Sequence, residues 1–179
     1  MPREYIITMT AANRVGILSA VTKAMAELGG DLREASQTVV SGFFTMIFSA
    51  EFPDELEESV VKDHLLGVCG PFGIEVSIRE PQDTCAVKSD VGKNGPLKLY
   101  VLRLGGENQP GVLRQLSSLI SMRRIDIVGM HAVRTKNGRG FEMIMKIVVP
   151  DDLDTEQLVA DLNSAGKGFN VTAELSDNS

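Results

Sequence analysis

The sequence predicts an α+β protein of two ferredoxin-like units in tandem, each an antiparallel sheet with two helices on one face. Three observations carry this. The chain repeats itself: a shift of 95 residues brings Tyr5 onto Tyr100, Asn13 onto Asn108, Gly16 onto Gly111, Leu18 onto Leu113 and Asp31 onto Asp126. After a slip of two residues, Phe44 meets Phe141, Met46 meets Met143 and Pro53-Asp54 meets Pro150-Asp151. Within each copy the apolar residues switch between strand and helix periods in the order β-α-β-β-α-β, which closes as a ferredoxin-like sandwich. The repeat is as long as a whole domain, so it is a duplication and not a solenoid.

In the first copy, Tyr5, Ile7 and Met9 alternate with Ile6 and Thr8 as a strand does. Leu18, Val21, Met25 and Leu28 follow at helical spacing, and Gly29-Gly30 stops that helix. Residues 32–40 read as a second strand with a weak pattern, and Ser41-Gly42 as a tight turn. Phe44, Met46, Phe48, Ala50 and Phe52 alternate in a third strand buried on one face. Pro53-Asp54 opens a second helix, with Asp54 and Glu57 spaced as a capping box and Leu56, Val60 and Leu65 turned inward. Gly70-Pro71-Phe72-Gly73 ends it, and Ile74, Val76 and Ile78 make the fourth strand. Residues 81–96 hold prolines, glycines and small polar residues and read as a linker, which sets the domains at 1–80 and 97–176.

The second copy repeats the order. Tyr100, Leu102 and Leu104 alternate, and Gly105-Gly106 reads as a turn. Leu113, Leu116 and Ile120 present a core-facing helical stripe, residues 127–135 form the second strand and Lys136-Asn137-Gly138 a hairpin turn. Phe141, Met143, Met145, Ile147 and Val149 match the earlier buried strand, Asp154 with Gln157 is a second cap-like pair, and Leu158 and Leu162 anchor the last helix. Phe169, Val171, Ala173 and Leu175 close the sheet. The far face of the sheets is not fully polar, since Phe43, Ile47, Ile144 and Val148 fall on it, which predicts burial against a neighbour.

Composition removes several function classes. The net charge of −6, the absence of Trp and an aromatic content of 5% argue against direct nucleic-acid binding. Residues 1–80 carry 6 Lys/Arg against 12 Asp/Glu, whereas residues 97–179 carry 10 of each. Cys69 and Cys85 form neither a disulfide framework nor a zinc ligand set and read as reduced thiols. With no membrane-length apolar run and no secretory layout at Met1-Pro2-Arg3, the expectation is a cytoplasmic protein. His64 and His131 stand apart from any nucleophile or ligand set, so no enzyme, metal or cofactor chemistry is expected. Arg123, Arg124, Arg134, Lys136 and Arg139 crowd one part of the second copy, as a solvated basic face or a docking surface for an acidic partner protein or an anionic ligand.

The stretch with chemical potential is the strand-to-helix junction, written Asn13-Arg14-Val15-Gly16-Ile17-Leu18 and again Asn108-Gln109-Pro110-Gly111-Val112-Leu113. A helix start behind a glycine offers free amides and the positive end of a dipole to a small anion such as a carboxylate. In both motif and element order the chain resembles the ACT domain family, taken twice, over residues 1–80 and 97–176. Two such domains in tandem are similar to the glycine cleavage system transcriptional repressor group, whose members regulate and do not catalyse. The first copy also resembles the leading module of formyltetrahydrofolate deformylases, which continue into a catalytic domain.

The resemblance implies a small amino acid, glycine or serine among the candidates, held between paired domains. Asn13 to Leu18 and Asn108 to Leu113 would face it, opposite second strands around Ser36-Gln37 and His131-Ala132. It further implies a homo-oligomer acting through a regulatory partner protein, or a ligand-free interaction module. The commonest family loop has Asp where Asn13 and Asn108 stand; Asn accepts and donates but brings no charge to hold an ammonium group. Pro110 makes the second loop stiffer than the first, where Val15 replaces it.

Overall fold

The computed structural model describes residues 2–81, 98–107, 109–135 and 138–177. The expected linker, apart from Pro81, lies outside them, as do Cys85, Asn108, Lys136 and Asn137. The chain divides into two compact units, Met1–Ala86 (unit 1) and Val87–Ser179 (unit 2). Unit 1 runs β1 Arg3–Ala12, α1 Ile17–Glu27, β2 Asp31–Val40, β3 Phe43–Phe52, α2 Glu58–Cys69 and β4 Glu75–Arg79. Unit 2 runs β5 Lys98–Glu107, α3 Val112–Met122, β6 Asp126–Arg134, β7 Gly140–Val149, α4 Thr155–Gly166 and β8 Thr172–Asp177. Each sheet is four-stranded, ordered β2-β3-β1-β4 and β6-β7-β5-β8, with every pairing antiparallel. These are two ferredoxin-like units in tandem.

The third strands fix each core. Phe44, Met46, Phe48, Ala50 and Phe52 are all buried, and across the ladder they meet Ala11, Met9, Ile7, Tyr5 and Arg3 of β1. The Tyr5 and Phe52 rings meet tilted at 47° with centres 5.9 Å apart, and the Tyr5 hydroxyl donates to the Leu56 carbonyl at 3.2 Å. In unit 2, Met143, Met145, Ile147 and Val149 take the same positions. The methionines here are packing, filling irregular space between sheet and helices.

Several expectations shift by one helical position. Leu18 and Leu113 do not face the core; α1 buries Ile17, Val21, Ala24 and Met25, and α3 buries Val112, Leu116 and Ile120. α2 begins at Glu58, not at Pro53-Asp54, and buries Val61, Leu65 and Cys69, leaving Val60 exposed. Glu57 precedes α2 without a side-chain cap, so the Asp54–Glu57 spacing does not act as a capping box there. The matching pair in unit 2 does half of that job. The Asp154 carboxylate accepts from the Glu156 and Gln157 amides at 3.0 Å, while the Gln157 side chain turns to Asp161. Gly105 and Gly106 are not a turn but the end of β5. Ile74 precedes β4, and Phe169 sits in a short 3-10 turn that packs on the core before β8.

The ends of α1 and α3 use one motif with different residues. Gly29, at φ 64°, donates to the Ala26 carbonyl, and Gly30 donates to Met25 at 2.9 Å, a Schellman closure. In unit 2 Arg124 holds the left-handed position at φ 56°, with its amide on Ser121 and the Ile125 amide on Ile120. A side chain there is strained, and the Arg124–Asp152 pair at 3.8 Å joins two exposed groups that contribute little. Arg124→Gly is therefore expected to stabilise unit 2 by about 0.5–1 kcal/mol, read as a higher urea midpoint at unchanged slope.

Candidate functional site

Both junctions are built alike. β1 ends at Ala12, and the Asn13 amide donates to the Gly42 carbonyl at 2.8 Å, tying the loop to the β2–β3 turn. Gly16 then caps α1 at φ 97°, ψ −10°, and Gly111 caps α3 at φ 89°, ψ −13°. These left-handed glycines let the chain reverse into the helix without steric strain. The first helical hydrogen bonds close on them, Ala20 to Gly16 at 2.9 Å and Gln115 to Gly111 at 3.1 Å. Among the described residues no side chain caps either helix. Among the described residues the amides of Leu18, Ser19, Leu113 and Arg114 have no partner, so each junction presents free donors at the positive end of its helix.

The surroundings of the two junctions differ. In unit 1 the Phe72 ring lies 3.5 Å from where a Cβ on Gly16 would stand, and Arg14 Nη1 reaches the Pro71 carbonyl at 3.5 Å. The turn after α2 thus roofs the loop. In unit 2 no described residue lies within 4 Å of the corresponding point on Gly111. Gln109, in place of Arg14, turns back to Glu107 with its Nε2 2.9 Å from Oε2. An exposed apolar pair flanks each glycine, Val15 with Leu18 and Pro110 with Leu113. Ile17 and Val112 are core residues and cannot face a ligand with their side chains. Phe72 and Pro71 were not legible as site neighbours; the one hint is an aromatic ring in a turn otherwise made of Gly and Pro.

The second strands carry the other expected positions. β2 is exposed along its whole length and β6 along most of it. Ser36 pairs with Ile47 on the face away from the helices, whereas Gln37 pairs with buried Met46 and lies on the helix side. His131 and Ala132 divide in the same way, opposite Ile144 and Met143. Strand alternation so leaves Gln37 and Ala132, and not their neighbours, on the side where the helices start. Within a unit the strand does not close over the junction, since Gln37 is about 13 Å along the chain from Ser41, where the turn that holds Asn13 begins.

Several other polar groups have structural partners. His64 Nε2 lies 2.9 Å from Glu27 Oε2 and links α2 to α1. The basic cluster does not stay together: Arg123 pairs with Asp161 and Arg124 with Asp152, at the end of β6 opposite to Arg134. Arg33 beside Glu51 and Asp31 is held above its usual pKa by those carboxylates. Burial pushes the Cys69 thiol up, keeping it a neutral packing group. No group of three His, Cys, Asp or Glu among the described residues is placed to hold a metal ion, and none of their helices is long and apolar enough to cross a membrane.

Comparison with known proteins agrees with this architecture. The ACT domain model matches residues 100–167. The crystal structure of an unknown protein from Galdieria sulphuraria superposes with a TM-score of 0.79 over 100% of both chains at 16% identity. That of a protein proposed to be a glycine cleavage system transcriptional repressor superposes with a TM-score of 0.68 over 99% of both chains at 11% identity. At such identities these two share the fold. A UPF0237 protein of Methanosarcina acetivorans is 36% identical over 77 residues, which is 42% of this chain and 84% of that protein. With that identity over most of the relative's length, the chain belongs to the UPF0237 family, with an ACT domain match in unit 2 and the same fold in unit 1.

Proposed function

We propose that the chain is a non-enzymatic regulatory protein that binds a small amino acid, such as glycine or serine, at paired ACT modules and passes the occupancy to a partner protein. Its modules are residues 1–80 and 97–176, joined by 81–96. The observation that carries this reading is the uncapped helix start behind a left-handed glycine, present at both Gly16 and Gly111. A ligand carboxylate would take the free amides of Leu113 and Arg114, Asn108 would hydrogen-bond the rest of the ligand, and Leu113 with Pro110 would shield it from water. Gln37 or Ala132 of a paired module would complete the pocket. Unit 2 is the better receptor, because Phe72 roofs the loop of unit 1 and no described residue comes within 4 Å of where a Cβ on Gly111 would stand. Binding shifts the placement of paired modules only by the ligand's differential affinity for the two arrangements. Any effect on transcription then runs through another protein.

Calorimetry with glycine, serine and the branched-chain amino acids tests the reading. The expected result is saturable binding of one of them at one site per chain, and silence from all of them at millimolar concentration would overturn it. A second reading, a ligand-free interaction module in a homo-oligomer, draws on the fully exposed Val15 and the exposed Val40 and Phe43 beside the same loop. Oligomers that ignore every amino acid tested would favour it.

A further inference from the structure

We infer that unit 1 pairs with a second copy of the chain along the free edge of β4, as an antiparallel ladder with Ser77 on the two-fold axis. β4 and β8 are corresponding edge strands of the two sheets. The edge of β8 is closed by its own helix. The Val171 amide donates to the Gly166 carbonyl at 3.0 Å, and the Asn163 carboxamide stands in for a neighbouring strand. Asn163 Oδ1 accepts from the Ala173 amide at 2.9 Å, and Nδ2 donates to the Ala173 carbonyl at 3.1 Å. The outward backbone groups at this part of β8 are thereby occupied, which blocks the approach of another chain.

β4 lies on β1 in the register that β8 keeps on β5, with Val76 opposite Met9 as Ala173 is opposite Leu104. The alternation of an antiparallel ladder then turns the amides and carbonyls of Val76 and Ile78 outward. No described group bonds to them. Counted from the starts of α2 at Glu58 and α4 at Thr155, the position of Asn163 is held by Leu66, which has nothing to offer a backbone amide and is itself exposed. Unit 1 therefore presents an open strand edge with an apolar residue beside it, where unit 2 presents a sealed one.

The strand itself names the occupant. Glu75-Val76-Ser77-Ile78-Arg79, turned antiparallel against itself about Ser77, sets Glu75 opposite Arg79 of the second copy and Val76 opposite its Ile78. The outward groups of Val76 and Ile78 meet in hydrogen-bonded pairs, and both Glu–Arg pairs fall together on the exposed face. A slip of one residue would set outward groups against inward ones, and a slip of two would break the charge match. The pairing is isologous, so it closes at two copies.

This pairing stands apart from amino-acid binding, and its test needs no ligand. The full chain is followed by sedimentation equilibrium and by disulfide trapping. Glu75→Arg or Arg79→Glu alone sets like charges opposite each other twice per dimer and is expected to raise the dissociation constant about tenfold. The double variant E75R/R79E restores the match and is expected to return within about twofold of the parent. In a Cys85→Ser background, Ser77→Cys on the exposed face is expected to give a covalent dimer under mild oxidation, and Glu174→Cys on the sealed strand is not. The inference is overturned if the single reversals leave association unchanged, if the double variant fails to recover, or if Ser77→Cys crosslinks no faster than Glu174→Cys.

Discussion

Gly106→Ala is expected to cost unit 2 about 3 kcal/mol or more, the largest effect of any single-methyl addition proposed for this chain. Gly106 lies near the end of β5, opposite Phe141. A Cβ there would stand 2.5 Å from the Asn170 carbonyl oxygen and 2.7 Å from both Cα and Cγ2 of Val171. Two of these atoms are backbone, so no rotamer change relieves the clash. Nor can Val171 retreat, because its amide is bonded to Gly166 and a Cβ on Gly166 would meet the Val171 carbonyl oxygen at 2.7 Å. Val171 is thus clamped between two glycines, and its own side chain is buried in the core. Unit 1 carries Ala11 at the matching place with ordinary burial, so the close crossing belongs to unit 2. The comparison variant Ala11→Gly should cost about 1–2 kcal/mol, from added backbone freedom and one lost buried methyl. Urea unfolding separates the two: equal midpoint shifts would mean that the crossing relaxes and that the clearance does not control stability.

How far this architecture could be read from residues follows from where each signal is generated. β3 and β7 were legible because one face of each is wholly apolar and packs against helices, as with Phe44 to Phe52. β2 gave a weak pattern for a physical reason: both of its faces are exposed, so no burial imposes alternation. The helical stripe in the sequence falls one position out at Leu18 and Leu113 because each follows a core residue, Ile17 or Val112, and a leucine looks no less buried than either in sequence. Their exposure in both units leaves them free for the shielding role proposed for the junction. The Gly105-Gly106 pair resembled a turn because turns are the commonest reason for adjacent glycines, whereas the cause here is the approach of Val171. Register shifts at Leu32/Glu34 and at Ile127/Gly129 recur at matching places, yet a bulge leaves no residue type behind to announce it. The candidate junctions were found through the repeated Asn-x-x-Gly motif, but the roof over one of them comes from a turn more than fifty residues away.

Gly111→Val is expected to weaken amino-acid binding at least about tenfold while costing unit 2 only about 1–3 kcal/mol, a separation that a merely structural glycine would not show. No described residue comes within 4 Å of a Cβ on Gly111, so the added side chain meets no described neighbour there. The penalty is conformational: φ 89° is a poor angle for a β-branched residue, and relief requires the backbone to rotate out of the left-handed region. That rotation swings the loop away from the start of α3 and re-aims the amides of Leu113 and Arg114, the donors assigned to the carboxylate. The core contacts of α3, through Val112, Leu116 and Ile120, remain in place and hold the fold. Gly16→Val makes the same backbone demand at φ 97° but under the Phe72 roof, so it should lower stability without changing the ligand isotherm. Calorimetry on the two variants therefore locates the site. Loss of binding with Gly16→Val alone would place the ligand in unit 1 against the roof, and undiminished binding by both would remove the helix starts from recognition altogether.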